Sequence, residues 1–167
     1  MLGRLDASRS QLHPQGDPAQ WSAQQLVEHL LLTYQSTAKI LEERLLKGRP
    51  THAPVTPEHA MRWRGSIGAG KFPIGNRAPE GVTPGQMELS VLSGAELALL
   101  LRKELERIDG LLDQCCEKFG PQPIASHFAF GPLDADQWRE FHLVHARHHL
   151  AQLARIVSAS EKTASTT

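Results

Sequence analysis

One local device occurs three times in this chain, and it leaves little room for anything but helices. An apolar residue precedes a capping residue, and a Gln or Glu follows three positions on. The three starts are Trp21-Ser22 with Gln25, Leu92-Ser93 with Glu96, and Leu133-Asp134 with Gln137. The cap oxygen accepts from the backbone of the third helical residue, whose side chain reaches back to the cap's own N–H. Leu26, Leu97 and Trp138 complete a hydrophobic staple at each start. After the first, Leu26, Val27, Leu30, Tyr34, Ala38, Leu41 and Leu45 recur at helical spacing, and Lys47-Gly48 with Pro50 closes the run. After the second, Leu97, Leu101, Leu105, Ile108, Leu112, Cys115 and Phe119 carry the stripe to Gly120-Pro121. The third helix is expected to end near Val157.

Weaker signals fill the gaps. Leu2, Leu5 and Leu12 hint at a short N-terminal helix, broken by the run His13-Pro14-Gln15-Gly16-Asp17-Pro18. Thr56 and Pro57 can open a short helix over 57–64. From Gly65 to about Glu88 the chain is rich in Gly and Pro. A loop longer than about 12–15 residues is uncommon and often functional, so this one is expected to cover an end of the domain. No strand signal of any length appears. The sum predicts an all-α, antiparallel helical bundle. It forms a single domain over 1–157, with 158–167 as a small, polar, flexible tail.

Charge and composition narrow the function classes. The chain has 167 residues, 18 basic and 18 acidic, with no basic block, so nothing marks a nucleic-acid surface. No apolar run approaches the roughly 20 residues that cross a bilayer, and the first ten residues lack the apolar core of a secretory signal. The two cysteines, Cys115 and Cys116, are neighbours in a helical pattern and poorly placed to pair. A reducing cytoplasm is the simplest home. Cys115 reads as a small core residue rather than a reactive thiol.

The chemistry-bearing residues concentrate in Phe141–Gln152, which holds four of the nine histidines. His145 and His149 are four apart, one turn on one helix face, and can aim two nitrogens at one divalent cation. A catalytic metal needs a third ligand. His29 is the best choice, because it lies in another strong helix beside the apolar stripe. Three histidines leave a coordination position for water or substrate, and the ion can bring the water's pKa towards about 7. Spacing alone does not separate this from a solvated surface pair or a satisfied core pair. His148 and His142 share part of the face and rank as outer residues around the site or as surface. Glu28, next to His29, could orient a ligand from an outer shell or act as a base, but an adjacent helical residue points about 100° away, so solvent is its expected destination. Gly65-Ser66-Ile67-Gly68-Ala69-Gly70-Lys71 imitates a phosphate-binding loop, but Phe72 stands where Ser or Thr should, and no strand precedes it. No nucleophile elbow is present.

The order Trp21-Ser22, His29-Leu30 and His145-x-x-His148-His149-x-x-Gln152 resembles the DinB-like superfamily, which includes the YfiT-type metal-dependent hydrolases. The segment His127-Phe128-Ala129-Phe130-Gly131-Pro132-Leu133, with Trp138 and the Lys71-Phe72-Pro73 and Ala78-Pro79-Glu80-Gly81 stretches, is similar to one uncharacterised branch of it. The resemblance covers residues 20–157. It implies a four-helix bundle with a three-histidine site for nickel or zinc, and its ligands fall on His29, His145 and His149. Two departures stand out: the first helix is short, and Leu150-Ala151 replaces Arg-Gly ahead of Gln152. The resemblance implies a hydrolase or thiol S-transferase acting on a small molecule. The alternative is a non-catalytic, metal-holding or stress-linked module on the same fold. A homodimer is compatible with the short first helix, and no nucleic-acid or membrane partner is expected.

Overall fold

The structure is a computed structural model that describes residues 2–75 and 77–164, with side chains as far as 158. It is mostly helical. Among the described residues there are four α-helices: α1 (Ala23–Lys47), α2 (Pro57–Gly65), α3 (Gly94–Phe119) and α4 (Ala135–Ala164). No helix among them is long and apolar enough to cross a membrane.

The three cap devices form as the residue types require. Ser22 N–H donates to Gln25 Oε1 at 2.8 Å, and Gln25 N–H donates back to Ser22 Oγ at 3.2 Å. Ser93 with Glu96 and Asp134 with Gln137 exchange the same reciprocal pair. Thr56 caps α2 with Pro57 in its first turn, and the ring of His59 takes the part that Glu or Gln plays elsewhere. The Gly65–Lys71 run leaves α2 into a single 3-10 turn, Ile67–Ala69, with no strand ahead of it. A phosphate-binding loop would need one there.

Four details depart from expectation. Residues 2–11 form two 3-10 turns, Leu2–Arg4 and Arg9–Gln11, rather than a helix. Asp6 Oδ1 accepts from Arg9 N–H at 2.8 Å, and Ser10 Oγ donates to the Ala7 carbonyl at 2.7 Å. Such side chains offer the backbone an alternative to helical bonds. Second, a small antiparallel sheet is present, β1 (Ala125–His127) with β2 (Gly131–Leu133), Ser126 opposite Pro132. Strands of three residues are too short for an alternation to register. Third, the backbone of α4 continues to Ala164, past Val157. Residues 165–167, the end of the expected tail, lie outside the described residues. Fourth, Leu105 is 44% exposed. Two steps of four along an α-helix carry a residue about 80° round from its start, so Leu105 has rotated off the face that Leu97 defines. The step of three to Ile108 brings the stripe back, and Ile108 is buried.

Contacts divide the described chain into two compact units, and the long helices run through both. The first holds residues 2–33, 78–105 and 149–164. Its core joins Leu2 and Leu5 to Ala23, Leu26, Val27 and Leu31 of α1, Leu97 of α3, and Leu153, Ile156 and Val157 of α4. Trp21 and Leu92, the outer halves of two staples, pack against the same cluster. Gly94 is where the N-terminal turns meet α3: its N–H donates to the Leu5 carbonyl at 2.8 Å, and a Cβ there would collide with the Leu2 carbonyl. Gly94→Ala is therefore expected to destabilise the protein by about 1–3 kcal/mol through overpacking. A lowered urea midpoint at unchanged slope is the readout.

The second unit holds residues 34–75, 77 and 106–148. Its interior is aromatic. The ring of Phe130 meets Trp63 edge-on at 5.6 Å and stacks on His127 at 4.9 Å, and Trp138 and Phe141 meet at 6.0 Å. Gly131 has φ +70°, and a Cβ on it would strike the His59 ring. The hairpin therefore seats directly on the histidine that caps α2.

Candidate metal centre

His29 is built by α1 and by the loop that covers it. Its ring is buried, 4.9 Å from the ring of Trp21 just ahead of the helix. Nδ1–H donates to the Val82 carbonyl at 2.7 Å. A carbonyl can only accept, so Nδ1 carries a proton, and in the neutral ring the lone pair is then on Nε2. His149 follows the same rule: Nδ1 lies 2.7 Å from Gln152 Oε1, one turn further along α4. The rings of His29 and His149 meet edge-on with centroids 4.8 Å apart.

His145 precedes His149 by one turn on the same unbroken helix. It too is buried, stacked on Phe141 at 5.5 Å and covered by Phe72 at 4.6 Å. His29, His145 and His149 each offer a ligand atom within 4.8 Å of the others'. Nitrogens held about 2.1 Å from one tetrahedral zinc would sit roughly 3.4 Å apart. The 4.8 Å within which the ligand atoms lie here exceeds that by at most about 1.4 Å. Buried imidazoles, two with an oxygen acceptor at Nδ1, are the donor set such an ion takes. The three histidines singled out on helical spacing are thus brought together.

The other candidates fall differently. Glu28 is not in solvent: it is 5% exposed, and its Oε1 accepts from Gly85 N–H at 2.8 Å and Met87 N–H at 3.0 Å. Helical spacing sent it to solvent, and the backbone of Gly85 and Met87 lies against it instead. His142 is not on the surface either. It is 5% exposed, edge-on to Tyr34 at 5.2 Å and stacked on Trp138 at 6.0 Å. Neither of its ring nitrogens has a hydrogen-bond partner among the described residues. Burial, with a smaller contribution from the charge of His127, pulls its pKa down to about 3. His148 is half-buried, against Phe72 at 5.1 Å. Cys115 is buried, which pushes its thiol up to about 11, in keeping with a packing role.

Sequence reasoning did not reach three parts of the site. Gln152 had a signal, its position three residues after His149 on one helix. Phe72 had one of another kind, as the aromatic that spoils the phosphate-loop pattern. The Val82 carbonyl had none, since a backbone oxygen carries no residue type.

Residues 102–156 match the model of a family described as protein of unknown function (DUF1569). The match takes in His145, His149 and Gln152. No curated protein and no solved structure matches the chain.

Proposed function

We propose that the protein holds a divalent cation, nickel or zinc, on His29, His145 and His149. It would use the ion on a small molecule, as a hydrolase or thiol S-transferase built on a DinB-like four-helix bundle. The observation that carries this is the cluster itself: three buried imidazoles whose ligand atoms lie within 4.8 Å. The two oxygen acceptors, which place a proton on Nδ1 of His29 and of His149, support it. So does the sequence resemblance given above, whose ligand positions are the same three residues.

A divalent ion bound there would supply Lewis acidity towards a carbonyl, phosphoryl group or water. The chain's own residues do the rest. The Val82 carbonyl and Gln152 fix two rings in one tautomer. Trp21 shields His29, and Phe72 shields His145. Three neutral ligands bring no negative charge, so the site favours an anionic or strongly polar small molecule.

A second reading, a metal-holding module without turnover, draws support from Glu28. The one carboxyl beside a ligand in the sequence has its Oε1 engaged by two backbone N–H groups, which argues against a role as base. The experiment is elemental analysis of protein purified without chelators, followed by assays with ester, amide and thiol-conjugation substrates. About one equivalent of nickel or zinc per chain is expected. Bound metal without turnover on any substrate favours the module. A chain that neither retains nor takes up either metal overturns both.

A further inference from the structure

Besides apolar packing of Met87, Leu89 and Leu92 on the core that includes α1, the 82–92 stretch is held by side chains of α1 that bond to its backbone. Gln24 Nε2 donates to the Ser90 carbonyl at 2.9 Å, and Leu92 N–H donates to Gln24 Oε1 at 2.9 Å. One turn on, Glu28 Oε1 takes the N–H groups of Gly85 and Met87. His29 then donates to Val82. Side chains 24, 28 and 29 thus grip five backbone groups, one at the end of the 3-10 turn Glu80–Val82 and four in the irregular chain that follows it. Gln24 and Glu28 are both buried, at 7% and 5% exposed. A buried side chain bonded to two backbone N–H groups is costly to remove, because both donors lose their acceptor.

We propose that Glu28 is a positioning residue for His29. It ties Gly85 and Met87 to α1, and this strap holds the Val82 carbonyl against Nδ1 of His29, so that Nε2 is presented as the ligand. The proposal rests on the metal-site reading for its consequence, but not for its geometry. In the metal-binding chain, strap and ligand are coupled: whatever lifts 82–87 releases the tautomer of His29 and weakens the site. Groups that orient ligands from the outer shell typically change affinity by about 10–100-fold.

Two readouts test it on the full-length chain. In metal-free protein, ¹⁵N shifts of the His29 ring are expected to show the Nδ1–H tautomer in wild type and a mixture in Glu28→Ala. Amide exchange at Gly85 and Met87 should speed up in the same variant. Cobalt(II) titration, followed through its visible spectrum, should show affinity lower by about 10–100-fold in Glu28→Ala. Glu28→Gln, which keeps an acceptor oxygen, should recover most of it. A Glu28→Ala chain with fast exchange at 85 and 87 but an unchanged His29 tautomer overturns the proposal. So does unchanged cobalt affinity in that chain. If Glu28→Ala does not fold, Glu28→Asp, which withdraws the oxygen by one methylene, must show the same losses. Should wild type bind no cobalt, the functional reading fails, and the tautomer measurement still decides the strap.

Discussion

Replacing His29, His145 or His149 singly with Ala is expected to abolish stoichiometric metal binding, while His148→Ala keeps it. Structural zinc sites with four ligands are worth roughly 10–16 kcal/mol, or about 3 kcal/mol for each ligand. Losing one of three therefore costs affinity by about 100-fold or more, at about 1.4 kcal/mol for each factor of ten. His148 is spared because its half-buried ring lies against Phe72 and it is not part of the cluster. Isothermal titration with zinc, with circular dichroism to verify the fold, distinguishes the four variants. Equal loss in His148→Ala would show that the ligand set has been drawn wrongly. Retention in His29→Ala would remove α1 from the site altogether.

The second large effect concerns pH. Burial holds the imidazole of His142 at about 3 and that of His127 at about 4, against an ordinary value near 6.5. In the unfolded chain both rings take up protons below about 6.5, and in the fold they do so only far lower. Stability is therefore full above about pH 6.5 and is lost as pH falls towards 4 and then 3. At about 1.4 kcal/mol for each pKa unit, His142 alone removes on the order of 3 kcal/mol by pH 4. The groups facing its ring, Tyr34 from α1 and Trp138 and Phe141 from α4, offer no carboxylate to stabilise the charged form. His127, the other titratable neighbour, makes protonation harder. His142→Phe keeps an aromatic ring of similar size and loses the titration. Urea midpoints measured from pH 7.5 to 4 should fall clearly less in this variant than in wild type. Parallel curves for the two proteins would remove His142 as the acid-sensitive group.

Much of the site's framework was legible because it is local. Ser22 and Gln25, Ser93 and Glu96, and Asp134 and Gln137 meet within one turn, so residue type alone says where a helix begins. The face shared by His145 and His149 is equally local, a consequence of 3.6 residues per turn. Even the two-ring tautomer argument was half visible, since Gln152 lies a single turn from His149. Where a reading failed, the deciding partner was elsewhere in the chain or the element was too short. Glu28 was sent to solvent because periodicity knows only its own helix, and the strap that buries it begins more than fifty residues later. His142 was ranked as an outer residue of the site or as surface, and only the fold, which sets Tyr34 edge-on to its buried ring, removes the surface alternative. The N-terminal leucines were read as a helix, though Asp6 and Ser10 spend their oxygens on nearby backbone. The hairpin of β1 and β2 was missed for want of length.

Sequence by itself therefore determined where α1, α3 and α4 start, most of the stripe that α1 and α3 bury, and that two imidazoles would project from one turn of α4. Those outcomes depend on contacts within about four residues, which every copy of the pattern must make. Tertiary structure decided which third histidine joins them and which nitrogen it presents. It also decided that the loop between α2 and α3 would hold it in place. Those outcomes depend on backbone carbonyl and N–H groups, which are the same at every residue and acquire a role only when folding brings them to a particular side chain.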